Sequence, residues 1–357
     1  MILFEGSFLF LGANNMPWTE SRYSKNQVNK AGKKICRDDL PETELKDAYK
    51  IVGNWRAAHA YPLYVITKKL RSLCGNNSMV VHRLKRMDSI VGKLKRFEQI
   101  SLYGMQDLGG CRVIVPTVTD VYRIANEYEN SRKRHVLCKE NDYIIEPKQD
   151  GYRCLHRVYE YKSDNPNSKY NRMKIEIQFR TKLQHSWATA VEVMSLYINS
   201  NLKSGIGEDQ YFRFFALVSS LFAIKEEMPV VPNTSENTDK LVKEIKSLDE
   251  EFSLLEKLDS MSKAIRTHGR IRINGKYDYF LMSLDTKTNE IKVGAYTASH
   301  IDKAVGEYNK LEQLPHTNNV LASAKSMVEL RKAYPNYFGN VSSYIFFLTY
   351  GKFCDIM

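Results

Sequence analysis

The sequence predicts an α/β domain followed by a smaller α+β domain. Three stretches of strand character, 111–116, 152–161 and 173–180, alternate with stretches of helical periodicity in the middle of the chain. Beyond them, residues 229–239 are polar and rich in Pro, Asn, Ser and Thr, which is typical of a linker. We therefore expect an N-terminal extension (1–40), an α/β domain (41–228), this linker, and a helical and α+β domain of regulatory or accessory role (240–357).

Apolar residues at helical spacing predict the helices of the first domain. In residues 41–75 this spacing runs from Leu45 to Ala58. Thr119 or Asp120 is a suitable N-cap for the helix expected at 119–130, and Thr181 is a suitable N-cap for the helix expected at 182–199. The later helices are expected at 89–100, 119–130, 182–199 and 208–228.

One long helix is predicted over 239–267, ended by Gly269. Its apolar stripe is heptad-like and is compatible with a packed helix or with a dimer seam, and we favour internal packing. The stripe comprises Leu241, Ile245, Leu248, Phe252, Leu255 and Leu258. A hairpin over 270–284 with an Asn274-Gly275 turn should follow. The remaining elements are a strand at 290–296, helices at 300–313 and 323–333, and a strand or helix at 341–349.

Composition limits the classes of function. The chain has 357 residues, 43% of them hydrophobic and 26% charged, which is typical of a soluble globular protein. Its net charge of +12 indicates an anionic partner, either a nucleotide, a nucleic acid or an acidic surface. The six cysteines form no CxxC pair, as expected of reduced thiols in a cytoplasmic protein without a zinc site or disulfide framework.

No run approaches the roughly 20 apolar residues that a membrane span requires, so we expect no membrane association. The apolar first twelve residues contain Glu5 and lack a basic leader, so they do not resemble a signal peptide. We expect a loose extension or an added first strand there. Translation could start at Met1 or at Met16.

A basic segment, 82–96, carries six Lys and Arg residues. A helix beginning at Ser89 would direct its N-terminal amides and its positive dipole end at an anion. Arg83 and Lys85 alternate on an extended stretch just before it. Read alone, the segment is more typical of a solvated basic face or a nonspecific RNA contact.

Two carboxylates suggest a metal site. Asp107 precedes two glycines that lead into a buried strand, and Glu176 lies on the polar face of an alternating strand. Singly, Asp107 is typical of a turn cap and Glu176 of an ion-paired strand residue. Together on neighbouring strands they would form the hard-oxygen arrangement that holds Mg²⁺ and substrate phosphates. Tyr152 could be a core residue, and His156 and His185 could each be structural.

These residues fall into four motifs, and with them the chain resembles the synthetase domain of the RelA/SpoT-type alarmone synthetases across about residues 50–200. The motifs occur in the family's order. They are Arg83-x-Lys85-x-x-x-Ser89-x-x-x-Lys93, Asp107-Leu-x-x-x-Arg112, Asp142-Tyr-Ile-x-x-Pro-Lys148-x-x-Gly151-Tyr152-x-x-x-His156, and Glu176-Ile-Gln178-x-Arg180-Thr.

The resemblance implies a mixed five-stranded sheet flanked by helices, and transfer of the β,γ-pyrophosphate of ATP to a 3′-hydroxyl with Mg²⁺ as cofactor. It also implies residue roles. Asp107 and Glu176 would bind the metal and act in catalysis. ATP would be bound by Arg83, Lys85, Ser89, Lys93 and Arg112. The acceptor would be bound by Lys148, Tyr152, His156 and Gln178.

The sequence departs from the family at two positions near the acceptor. Asn141 and Asp150 stand where many members have Lys and Asn. An acidic Asp150 beside an anionic acceptor would cost electrostatic attraction. No His is followed by Asp, as the family's hydrolase domain would require, so we expect a stand-alone synthetase.

The resemblance leaves three acceptors open. A guanine nucleotide, GDP or GTP, would give the alarmones (p)ppGpp of the stringent response. A tRNA 3′ end or an adenine nucleotide would instead make the protein a toxin, in a toxin–antitoxin or phage-defence role. A catalytically silent RNA-binding relative is a further alternative. We expect residues 240–357 to gate the active site or to bind a trigger, either an RNA or a protein.

Overall fold

The central element is a sheet of five strands whose order is β1-β2-β5-β4-β3. The strands are β1 Met79–Leu84, β2 Gly109–Val115, β3 Val136–Asp142, β4 Leu155–Glu160 and β5 Lys174–Thr181. Strands β2 and β5 are parallel and the other neighbours are antiparallel. The predicted mixed five-stranded sheet is therefore confirmed. This is a computed structural model; it describes residues 18–75, 77–131, 135–198, 202, 208–260, 275, 277, 279–285, 287, 288, 290–297, 300–312, 314, 316–324, 326–334, 337, 338, 341 and 344.

The two faces of the sheet differ because side chains alternate along each strand. On β5, Ile175, Ile177 and Phe179 are fully buried in the main core. They pack there with helices α3 (Ala60–Leu73) and α5 (Val118–Asn130). The opposite face of β5 carries the polar side chains of the candidate site.

The other helices of this region pack around the sheet. They are α1 Lys25–Lys34, α2 Glu42–Ala58, α4 Met87–Arg96, α6 Lys182–Tyr197 and α7 Asp209–Lys225. Thr181 caps α6 as predicted, since its Oγ1 accepts the N–H of Gln184 at 3.1 Å. Helix α5 is capped by Thr117, two positions before Thr119, and the Thr117 side chain accepts from the N–H of Asp120. The prediction that Thr119 or Asp120 caps this helix is therefore wrong.

The predicted long helix over 239–267 is interrupted. Helix α8 spans Thr238–Phe252, and Ser253 adopts a left-handed conformation with φ 52° before residues 254–260 become helical again. Leu241 and Ile245 of α8 are buried in a cluster with Phe214 and Phe222 of α7. The apolar stripe thus packs internally, as favoured from the sequence. The predicted end at Gly269 lies outside the described residues.

A second, antiparallel sheet lies in the C-terminal part, with strand order β7-β6-β8. Its strands are β6 Tyr279–Asp285, β7 Ile291–Tyr296 and β8 Thr317–Ser323, and it is accompanied by α9 Ile301–Leu311 and α10 Met327–Ala333. The cluster around this sheet includes Val81 of β1. The small sheet therefore packs against the β1 edge of the central sheet.

Several boundaries and elements differ from the sequence predictions. Strands β1, β3 and β8 and helix α1 were not predicted, and the helix expected at 323–333 begins at Met327 because 317–323 is a strand. Helix α4 begins at Met87 rather than at Ser89. Most of the expected hairpin turn at 270–278, most of 341–349, and residues 1–17 lie outside the described residues. Of the helices described, none combines the length and the apolar character that crossing a bilayer would require.

Candidate active site

The parallel pairing of β2 and β5 brings the two predicted carboxylates to one place. Gly110 of β2 is in register with Glu176 of β5, and Asp107 lies just before β2 begins. Both carboxylates line a pocket of about 160 Å³. Arg83, Lys85, Arg112 and Gln178 line the same pocket. The structure therefore assembles residues from three of the four motifs around a single cavity.

Asp107 is held between two lysines. Lys85 Nζ lies 2.8 Å from Asp107 Oδ2, and Lys93 Nζ lies 3.0 Å from Oδ1. Burial raises the pKa of Asp107, but the two ammonium groups lower it more, so the net shift is downward. Asp107 is therefore an ionised carboxylate with two lysine ammonium groups beside it. Lys85 follows the end of β1 and Lys93 lies on α4, so the segment 84–93 places both lysines beside Asp107.

Glu176 is also kept ionised, by different partners. His156 Nδ1 lies 3.2 Å from Glu176 Oε1, and Gln178 Nε2 donates a hydrogen bond of 2.8 Å to Oε2. Burial raises the pKa of Glu176, the contact with His156 lowers it, and Asp107 raises it through charge repulsion. The net pKa is below its usual range. Glu176 and Asp107 are therefore two ionised carboxylates that line one pocket.

The arginines make the rest of the pocket positive. Arg83 of β1 lies opposite Gly110 of β2, and Arg112 of β2 lies opposite Gln178 of β5. Burial, and then repulsion from Arg180, lowers the pKa of Arg112 to about 10. Such a shift means that the charged guanidinium is incompletely compensated. A bound anion would compensate it, so the pocket is electrostatically suited to phosphate groups.

A chain of hydrogen bonds leads from the pocket to Tyr152. The hydroxyl of Tyr152 lies 2.8 Å from Nε2 of His156, whose Nδ1 faces Glu176. The ammonium of Lys148 lies 4.5 Å from the ring centre of Tyr143 and 5.3 Å from that of Tyr152. A half-buried aromatic ring with a lysine over it is a suitable platform for a base that carries phosphate.

Asp150 has a structural role in this segment. Its Oδ1 accepts a hydrogen bond of 2.9 Å from the backbone N–H of Tyr152. An asparagine oxygen could make the same bond, so this contact is compatible with either residue at position 150. The other departure, Asn141, pairs with His156 across β3 and β4.

Of the proposed ATP-binding residues, Ser89 and Lys93 are not part of the pocket lining. Ser89 has no described contact with the site. It is the third residue of α4, half-buried, within the first turn of the helix. Its neighbour one turn later, Lys93, does reach Asp107. The lysine therefore joins the site directly, whereas Ser89 contributes at most the N-terminal turn of α4.

Sequence reasoning missed a residue from the far end of the chain. Tyr334, which follows α10, lines the pocket together with His82 and Arg83. It is 5% exposed, and its hydroxyl lies 3.4 Å from the carbonyl oxygen of His82. The one sequence signal was a pair of tyrosines, Tyr334 and Tyr337, at a spacing of three after a helix. That signal does not distinguish a core pair from a pocket wall.

Comparisons with known proteins show what the chain is similar to. Residues 82–201 match the family model described as the region found in RelA / SpoT proteins. Over these residues the chain is therefore similar to RelA/SpoT proteins. It is 26% identical to GTP pyrophosphokinase YwaC of Bacillus subtilis over 188 residues, which are 48% of this chain and 89% of the relative. It is 32% identical to GTP pyrophosphokinase YjbM of the same species over 126 residues, 34% of this chain and 58% of the relative.

A similar solved structure is that of small alarmone synthetase 1 from Bacillus subtilis bound to its product pppGpp. It has 23% sequence identity and a TM-score of 0.41, and the match covers 59% of this chain and 99% of that one. RelA/SpoT synthetase domains transfer pyrophosphate, so the protein is an enzyme of the pyrophosphotransferase class. The 82–201 match contains all four motifs and ends before α7, which begins at Asp209.

Proposed function

We propose that the protein transfers the β,γ-pyrophosphate of ATP to the 3′-hydroxyl of a guanine nucleotide, GDP or GTP, forming (p)ppGpp. The acceptor oxygen forms a bond to the β-phosphorus, the bond from that phosphorus to the α,β-bridging oxygen breaks, and AMP leaves. The observation that carries the proposal is the pocket in which Asp107 and Glu176 face Lys85 and the two arginines. Such a transfer depends on positioning and charge stabilisation rather than on a covalent enzyme intermediate.

The charged residues in and beside the pocket would have separate roles in this reaction. Arg83 and Arg112 would flank the adenine, because guanidinium groups stack on bases and also bind phosphate. Lys85 and Lys93 can turn from Asp107 to the polyphosphate. Glu176, oriented by its two partners, can accept the proton of the acceptor hydroxyl.

The residues present also fit a magnesium ion. No cluster of three or more His, Cys, Asp or Glu residues occurs in the described part of the chain. However, Mg²⁺ is commonly held by one or two carboxylates together with substrate phosphates, and two ionised carboxylates line this pocket. Asp107 and Glu176 would hold it. When bound, the ion neutralises negative charge on the phosphates.

Acceptor choice is tested most directly with radiolabelled ATP. The purified chain is incubated separately with GDP, GTP, ATP and deacylated tRNA, and products are separated by chromatography and gel. Label in a guanine nucleotide supports the proposal. Label only in tRNA or in an adenine nucleotide would identify that molecule as the acceptor and leave the proposed type of reaction unchanged. No transfer to any acceptor, with RNA still bound, would favour the silent RNA-binding alternative.

Transfer to a tRNA 3′ end is a second candidate because of a basic surface close to the site. Helices α1 and α4 share a core cluster, and Lys30 and Lys33 of α1 and Arg96 of α4 are exposed. The net charge of +12 is consistent with such a surface. An RNA acceptor would make the rate fall steeply with salt, since several phosphates must be neutralised. A flat salt response with GDP as the best acceptor would favour the alarmone reaction.

The C-terminal part is proposed as the regulator of this site. Tyr334 lines the pocket, and Nε2 of His185 on α6 lies 3.0 Å from the carbonyl oxygen of Lys332 on α10. On α2, the buried Arg56 donates a 2.8 Å hydrogen bond to the hydroxyl of Tyr308. These contacts support a state in which the C-terminal part restricts the nucleotide pocket. A protein or RNA trigger that separates them would activate the enzyme.

A further inference from the structure

The segment that carries Lys148 and Tyr152, residues 148–152, is called the acceptor loop below. We infer that Arg153 and Ser219 are positioning residues for the acceptor, because they fasten this loop to α7. The role in acceptor binding rests on the proposed function, whereas the attachment of this loop to α7 is a property of the fold. Neither residue lines the pocket that contains Asp107 and Glu176.

Arg153 is a buried cation that ties three segments together. It is 3% exposed, and its guanidinium donates from Nε to Ser219 Oγ at 3.1 Å and from Nη1 to the carbonyl oxygen of Ile144 at 3.0 Å. Its Nη2 donates to the carbonyl oxygen of Pro229. The planar guanidinium thus joins Ile144, which precedes the acceptor loop, to α7 and to the residues that follow α7. Burial lowers the pKa of Arg153 to about 10, whereas the nearby Glu226 raises it.

Ser219 completes the fastening from α7. Its hydroxyl accepts from Arg153 and donates a 2.6 Å hydrogen bond to the carbonyl oxygen of Gly151. Gly151 has φ +92°, and a Cβ there would lie 3.0 Å from both Ser219 Cβ and the carbonyl oxygen of Phe215. The loop therefore passes so close to α7 that only glycine fits, and the hydroxyl of Ser219 fixes its height above the helix.

The fastening determines where Tyr152 and Lys148 stand. Within the loop, the N–H of Gly151 donates to the carbonyl oxygen of Lys148 at 2.9 Å, and the N–H of Lys148 donates to that of Tyr152 at 3.3 Å. Tyr152 lies between Gly151 and Arg153, so both anchors adjoin its backbone. A loop held only by its own turn would reorder on binding, and that ordering would weaken acceptor affinity. A loop clamped by α7 is ordered in advance.

The adjacent serines of α7 allow a matched test in the full chain. Ser219→Ala removes the clamp hydroxyl. Ser220→Ala removes an equally buried hydroxyl that instead bonds to the N–H of Val231 and to Thr234. Hydrogen–deuterium exchange is measured on both variants and on the wild type. We expect exchange at 148–152 to rise roughly tenfold in Ser219→Ala and to stay at the wild-type rate in Ser220→Ala.

Kinetics supply the second measurement. In Ser219→Ala the KM of the acceptor should rise roughly tenfold while that of ATP stays within about twofold. Arg153→Lys, which keeps the charge and loses the fork, should behave in the same way. Equal loop exchange in Ser219→Ala and Ser220→Ala would overturn the inference, as would equal changes in the KM of ATP and acceptor. A wild type that transfers no pyrophosphate would refute the proposed function, whereas the exchange result would still decide the clamp.

Discussion

At the scale of single residues, the site is defined by carboxylates that are paired with cations before any substrate arrives. Asp107 is contacted by Lys85 and Lys93, and Glu176 by His156 and Gln178. A carboxylate buried alone would tend to protonate, and these partners keep both groups charged. In the proposed reaction, an entering polyphosphate would give the two lysines a second anionic partner. Asp107 and Glu176 would then be available to hold a metal ion.

This arrangement predicts the effect of neutralising either carboxylate. Asp107→Asn or Glu176→Gln should lower the rate of pyrophosphate transfer by roughly 100- to 1000-fold, the usual cost of losing one charge-stabilising group. The fold should persist, as judged by circular dichroism and the thermal midpoint. Asp120→Asn, at the start of α5 and outside the pocket lining, is the control and should retain activity. A near-native rate in either site variant would refute the proposed roles.

Tyr152 allows a separate prediction about the acceptor. Its ring is half-buried beside Lys148, and its hydroxyl bonds to His156. Tyr152→Ala should weaken acceptor binding by about 1–3 kcal/mol through lost stacking, with ATP binding little changed. Tyr152→Phe keeps the ring and should retain most of that affinity. Calorimetry with each substrate is the measurement, and equal weakening of ATP and acceptor would place Tyr152 elsewhere.

At the scale of elements, the two glycines that open β2 have different reasons to be there. A Cβ on Gly109 would lie 2.6 Å from Cδ1 of the buried Ile175, whereas one on Gly110 would meet nothing closer than 3.9 Å. Gly109→Ala should therefore lower the free energy of unfolding by about 1–3 kcal/mol through overpacking. Gly110→Ala should leave it unchanged or slightly higher.

Urea denaturation of the two variants, compared with the wild type, measures this difference. Equal stabilities of Gly109→Ala and Gly110→Ala would show that Ile175 relaxes without cost. The prediction would then be wrong, and close packing of β2 on β5 would not explain the first glycine.

The elements that sequence predicted are those with a strong apolar period. Strands β2 and β5 and helices α2, α3 and α5 each bury one clear face, whereas α7 is apolar and buried on most sides. Strand β3 lies at an edge with most of its side chains exposed or half-buried, so it carries little apolar signal. At β1 the sequence predicts only an extended stretch, because Arg83 alternates with Lys85. The buried Val81 of β1 packs on a distant part of the chain, so its role gives no local signal.

The candidate site was predictable as a set of residue types but not as a closed pocket. Local motifs identified Asp107, Glu176 and Tyr152, since each lies at a turn or on an alternating strand. The wall formed by Tyr334 comes from a contact more than 150 residues away along the chain, as the sequence numbers show. Such a contact leaves no local pattern. The break of α8 at Ser253 was missed for a related reason, because a serine gives little warning of a left-handed residue.

At the scale of the whole molecule, the C-terminal part has two different relations to the synthetase domain. Helix α8 and Tyr344 are part of the α7 core, where Tyr344 packs 6.2 Å from Phe215 and 5.8 Å from Phe222, measured between ring centres. A fragment ending at residue 228 would expose that core. Its insolubility would therefore reveal nothing about regulation. The small sheet and Tyr334, in contrast, lie against β1 and the pocket.

A point substitution in the full chain consequently tests regulation better than truncation. Tyr334→Ala should open the pocket wall while leaving the α7 core intact. If the C-terminal part restricts the pocket, ATP affinity and transfer rate should each rise roughly tenfold or more, the change produced by about 1.4 kcal/mol. Growth of cells expressing the variant should slow correspondingly. Tyr296→Ala is the matched aromatic control, because Tyr296 lies on β7, at the opposite edge of the small sheet from β8.

The two tyrosine variants separate gating from general loosening. Loss of either ring removes buried apolar contacts, so both should lower the thermal midpoint. Only Tyr334→Ala should tighten ATP binding in calorimetry, since only Tyr334 lines the pocket with Arg83 and Arg112. Equal ATP affinity in the two variants and the wild type would mean that Tyr334 completes the pocket without restricting it. The C-terminal part would then be a structural extension of the synthetase, and a trigger would have to act elsewhere.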